Sequence, residues 1–165
     1  MPIAFYVSDG LMLLFAIGAA VAAWRQDRHR LVPRWQLLLP GILGILSVMA
    51  ELAFPEPRDL FHLGIWTVGA TGLAVGAVRG AVMALESDHA FRLVRLVNAR
   101  DGTWMAFALV LFALLHFAAE MSTQQVNPYM PTAVLLTCLA GSYLAGRSLV
   151  GWIRADQSTH IDLRD

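Results

Sequence analysis

Five ionisable side chains interrupt stretches that are otherwise apolar: Asp9, Glu51, His62, His116 and Glu120. Carboxylates and imidazoles together can hold a proton or a divalent metal, because the acid supplies charge and the ring supplies a nitrogen that titrates near neutral pH. His116 and Glu120 stand four residues apart, so on a helix they share one face. A carboxylate beside an imidazole favours the charged ring and can orient a ligand. A second chemistry needs only the two imidazoles: His62 and His116 would be axial ligands of a haem b. The spacing is not a specific motif, since two such residues four apart recur by chance.

The elements that must position these groups are set by composition. The 165 residues are 58% hydrophobic and 15% charged, with mean hydropathy +0.60; soluble domains run nearer a quarter charged. The excess comes in blocks, and a bilayer span needs roughly 20 mostly apolar residues. Five blocks qualify, at about 3–24, 35–54, 60–85, 104–121 and 130–153. They predict an all-α, polytopic membrane helix bundle, and they leave no room for a separate soluble domain. Asp9 interrupts the first block, and no Lys/Arg-rich start precedes it, so that block reads as a retained helix.

Helical rise then places the ionisable groups by height. At 1.5 Å per residue, Asp9 stands about 22 Å above Trp24 and Glu51 about 24 Å above Trp35. His116 and Glu120 stand about 18 and 24 Å above Trp104, and His62 about 25 Å above Arg79. Four helices thus carry acids and imidazoles to one depth of a core about 30 Å thick. Two readings follow. The groups turn inward as a metal or proton site, with His62 at its mouth, or they sit near the headgroups and reach water.

Orientation follows from arginine, the only basic residue besides histidine. Eleven of the twelve arginines fall in connections or span ends on one side, with Arg58 alone on the other. The positive-inside rule predicts an outer N-terminus and a cytoplasmic C-terminus. Trp24, Trp35, Trp104 and Trp152 would mark the inner interface; Tyr6, Phe54 and Tyr129 would mark the outer one. The absence of lysine is associated with GC-rich bacterial genomes, so a bacterial inner membrane is the expected location.

Between the third and fourth spans, Phe91 to Val97 partly alternates and Arg100-Asp101-Gly102 reads as a turn. A short cytoplasmic hairpin or an amphipathic surface segment is expected there. The third span carries Gly72, Gly76 and Gly80, a small-residue face that lets helix backbones approach closely. That face is read as packing within one bundle or as a homodimer seam, and the third span is expected to be the central helix. Arg79 and Arg147 lie inside their span ends. They either snorkel to the interface or join Arg25, Arg28, Arg30 and Arg34 in contacts with anionic lipid.

Several functions are disfavoured. Balanced charge gives no reason to expect nucleic acid. The single cysteine, Cys138, forms no internal disulfide and belongs to no metal motif. No phosphate-binding loop, nucleophile elbow or HExxH is present, so nothing points to an enzyme.

The layout resembles the CcdC-like small bacterial membrane protein family. The likeness rests on Pro33-Arg34-Trp35-Gln36-Leu37-Leu38-Leu39-Pro40 after an arginine-rich connection. It also rests on Gly72 and Gly76 followed by Arg79-Gly80, on Asp101-Gly102, and on Gly146-Arg147 near the end of the last span. It extends over most of the chain in topology and over few residues in identity. The resemblance implies a membrane protein linked by name to cytochrome c biogenesis and assigns no functional residue. The expected function is a non-enzymatic accessory or assembly factor that contacts lipid or other membrane proteins. The alternatives are an ion, metal or proton transporter or channel using the outer cluster, and a haem-b protein.

Overall fold

A computed structural model describes residues 3–28, 31–52, 59–88, 92–97, 100–122 and 130–157. Among the described residues five helices, the second of them counted together with the 3-10 turn that leads into it, are long and apolar enough to cross a membrane. They are α1 (Ile3–Arg28), α2 (Leu39–Leu52), α3 (Asp59–Val82), α4 (Arg100–Ser122) and α5 (Met130–Gln157). A 3-10 turn, Arg34–Leu38, leads into α2. Pro40 falls in the first turn of α2, where a missing N–H costs nothing.

Four of the helices form a ring. α1 packs on α2 and α4, and α5 packs on the same two from the other side. On α1 the buried positions Asp9, Met12, Ala16, Ala19, Ala23 and Gln26 recur every three or four residues, which is one face of a helix. On α4 the matching stripe is Thr103, Ala106, Leu109, Ala113 and His116. Hydroxyls tie neighbours together: Ser47 donates to the Met12 carbonyl at 3.0 Å and Thr103 to that of Ala23 at 3.2 Å.

The helix expected at the centre lies outside this ring. α3 packs chiefly on α5, and α5 carries contacts to α2, α3 and α4. The reason is residue size. α5 is studded with small residues on several faces, including Cys138, Ala140, Gly141, Ser142 and Gly146, all buried. Helices approach through such faces in lipid. On α3, by contrast, Leu63, Trp66, Val75, Val78 and Val82 are exposed.

The glycine face of α3 is covered by α5. A Cβ at Gly72 would come 2.5 Å from the Leu139 carbonyl oxygen, and one at Gly80 2.7 Å from that of Arg147. At Gly76 it would overlap the Tyr143 carbonyl. The match is reciprocal, since a Cβ at Gly146 would overlap the Leu73 carbonyl. The backbones touch, so no second copy reaches these glycines while α5 is in place.

A three-stranded antiparallel sheet closes the arginine-rich end. Its strands are β1 (Val32–Pro33), β2 (Ala84–Asp88) and β3 (Leu93–Val97), in the order β1-β3-β2. The β2–β3 hairpin is the expected one, with Leu85 opposite Leu96 and Glu86 opposite Arg95. β1 comes from the first connection and joins through Val32 opposite Val94. Val32, Leu37, Val94 and Ala155 form a second small core there. Helices α1 and α5 each run about four residues past their expected ends, to Arg28 and Gln157, and two boundaries beside the sheet also differ from expectation. The third span stops at Val82, because Leu85 belongs to β2. Arg100-Asp101-Gly102 is not a turn but the first turn of α4, where an acid suits the positive end of the helix dipole.

Candidate functional site

Two polar clusters occupy opposite ends of the ring. In the one away from the arginines, α1 supplies Asp9, α2 supplies Glu51 and α4 supplies His116. His116 Nδ1 lies 3.6 Å from Glu51 Oε1, and the Glu51 side chain is 1% exposed. Asp9 is buried at the same end of the ring. Cys138 of α5 is buried as well. The antiparallel register explains the common height. Thr103 bonds to Ala23 at the other end, and from there 13 residues up α4 and 14 up α1 reach His116 and Asp9.

The side chains of His62 and Glu120 lie outside the described residues, so the paired-imidazole haem arrangement and the place of Glu120 are not part of this geometry. Tyr6 as a side chain, and Phe54, Tyr129, Arg30 and Arg58 altogether, lie outside them too. Among the described residues no three His, Cys, Asp or Glu side chains are placed to hold a metal ion. What the three grouped residues can do is share a proton. An acid and an imidazole shielded from water hold their charges only in relation to one another. Below them lies an apolar layer in which Met12, Ala16, Leu109, Ala113 and Leu144 are fully buried.

The second cluster was not visible as such in the sequence. Asp101 of α4 gathers three partners. Its Oδ2 accepts from Arg147 Nε at 3.0 Å and from the Tyr143 hydroxyl at 3.0 Å, and it pairs with Arg79 Nε at 3.1 Å. Its Oδ1 accepts from an Arg79 terminal nitrogen at 3.3 Å. One carboxylate thus ties α3, α4 and α5 together. Gly102 makes room for it, since a Cβ there would come 2.7 Å from the Arg147 guanidinium. Arg154 donates to the carbonyls of Gly80, at 3.0 Å, and Met83, at 2.6 Å, capping the end of α3.

These contacts change the reading of the inner arginines. Snorkelling does not describe Arg147, whose side chain is 3% exposed and bonded to Asp101. Among the described residues the other arginines are placed as follows. Arg25 is exposed, Arg28 stacks over Trp24 at 4.3 Å, and Arg34 pairs with Asp156 while lying over Trp152 at 4.7 Å. Arginine within an apolar helix demands a partner, and that demand was the one signal pointing to Asp101.

Fold and clusters together define the class: a five-helix membrane-spanning bundle with a buried acid–imidazole group at one end and an arginine–aspartate knot at the other. No family model, curated protein or solved structure matches the chain.

Proposed function

We propose that this chain is a small multi-pass protein of the bacterial inner membrane that binds a proton in its interior, without catalysing a reaction. The observation that carries the reading is the approach of His116 to Glu51, both buried, at the end of the ring where Asp9 is buried too. Ionisable groups inside a span are costly, up to roughly 2.5–3.5 kcal/mol for a charge at the bilayer centre on the gentler insertion scale. A purely scaffolding role requires none of them. The arginine bias supports a cytoplasmic C-terminus, which puts the proton site toward the outer face. The layer beneath favours binding over conduction, since Met12, Ala16, Leu109, Ala113 and Leu144 fill it and the Ser47 hydroxyl there is tied to the Met12 carbonyl.

The test is proton uptake by the purified chain in detergent, followed with a pH-indicator dye between pH 5 and 8. Wild type should take up about one proton more than the His116→Gln, Glu51→Gln double variant over that range. Equal uptake by the two would end the proposal.

A further inference from the structure

We propose that the proton held by His116 and Glu51 sets the spacing of α2 and α4 at the end away from the arginines, so that the bundle reads acidity as a swing of α4. This rests on the proton-binding reading above and adds what the proton does. The first observation is a diagonal. α2 and α4 each pack on α1 and α5, and they stand across the ring from one another with little packing between them. Glu51 of α2 and His116 of α4 nevertheless approach to 3.6 Å. The pair therefore spans the ring from corner to corner, where two side chains rather than two helix faces set the distance.

The second observation is that the two helices are held unequally. α2 is fixed almost to its end. A Cβ at Gly41 would come 2.8 Å from that of Ser148, and one at Gly44 3.1 Å from the Gly141 carbonyl oxygen. Ser47, one turn before Glu51, is bonded to the Met12 carbonyl. α4 is clamped at the opposite end. Asp101, in its first turn, is bonded to Arg147, Tyr143 and Arg79, and Thr103 is bonded to Ala23. His116 stands 15 residues beyond Asp101, about 22 Å along the helix axis. A change of spacing at the pair is thus expressed as a tilt of α4 about its clamped first turn.

The third observation is chemical. The separation of 3.6 Å is longer than an ordinary hydrogen bond. A proton on the imidazole adds attraction across the diagonal and favours a charge-assisted contact of about 2.8 Å. Its loss removes that attraction, and a water between the groups would hold them about 5.5 Å apart, two hydrogen-bond lengths. Among the described residues the other titratable groups buried at this end are Asp9 of α1 and Cys138 of α5. α1 packs on both α2 and α4, so the Asp9 charge lies beside the diagonal rather than across it. An ordinary thiol stays neutral where histidine titrates.

Double electron–electron resonance on the full-length chain in detergent tests this, in a Cys138→Ala background. One spin-label pair is placed at Met49→Cys and Leu115→Cys, both exposed and close in sequence to the two ionisable groups. A control pair is placed at Ile42→Cys and Trp104→Cys, exposed positions nearer the clamped end. Between about pH 7.5 and pH 5 the first distance should shorten by about 2–3 Å, the difference between the two contacts. The change should share its midpoint with proton uptake by the same sample, and the control distance should hold. Glu51→Gln and His116→Gln should each abolish the shortening. Proton uptake with a fixed distance would overturn the swing and leave proton binding standing. No uptake would remove the reading beneath it, and the swing with it. Shortening that survives both variants, or an equal change in the control pair, would place the motion elsewhere and overturn the proposal.

Discussion

Arg147 and Asp101 meet at 3.0 Å, 46 residues apart in sequence, with the arginine almost wholly withdrawn from solvent. Removing the acid takes away the one carboxylate that Arg147, Tyr143 and Arg79 share, a change worth about 3–5 kcal/mol. Asp101→Ala should therefore lower the thermal midpoint in detergent far more than Glu86→Ala. The Glu86–Arg95 pair is long, at 3.4 Å, and partly exposed, so it contributes about 1 kcal/mol or less. Equal midpoints for the two variants would mean that Asp101 does not knot the three helices.

Bulk at Gly76 has nowhere to go, because the Tyr143 backbone fills the space. Gly76→Leu should cost about 3 kcal/mol or more and separate α3 from α5. Trp66→Ala, on the exposed side of the same helix, should change stability by about 0.5 kcal/mol or less. Thermal unfolding of both variants in one detergent decides it. A tolerated leucine would mean that the glycine face points at lipid.

Liposomes carrying the wild-type chain should hold an imposed pH gradient as long as empty ones, since Met12, Leu109 and Leu144 seal the ring below Asp9 and His116. A fluorescent pH probe inside the vesicles reads this directly. Rapid decay in wild type would replace binding with conduction.

A periplasm-active reporter fused after Asp165 should stay silent, and a cytoplasm-active one should work. The reason is the eleven-to-one distribution of arginines. The reverse pattern would turn the proton site toward the cytoplasm.

Much of the fold was legible because lipid imposes a simple rule. Backbone groups must pair internally, so an apolar block of sufficient length is a helix. The hairpin at Leu93–Val97 was legible from its alternation. β1 was not, because two residues, Val32 and Pro33, carry no periodic signal. Asp101 was misread because Asp-Gly marks turns as readily as it starts helices. The three grouped ionisable residues could have been rotated inward from sequence. Ala16, Ala19 and Ala23 lie on one stripe with Asp9, as Ala106 and Ala113 do with His116. Small residues at that spacing mark a helix's packed face. The centrality of α5 was hidden for a related reason. Its small residues are spread over several faces, whereas the glycines of α3 make one conspicuous line.

That α3 stands outside the ring and leans on α5 has a consequence for biosynthesis. A ribosome delivers α3 to the bilayer well before α5 exists. During that interval Gly72, Gly76 and Gly80 have no mate, and the ring of α1, α2 and α4 remains open on its fourth side. The arrival of one helix settles all of these at once. Maturation of this protein is therefore a late, single event. Every chain interrupted before Leu139 is left with an unmated glycine stripe.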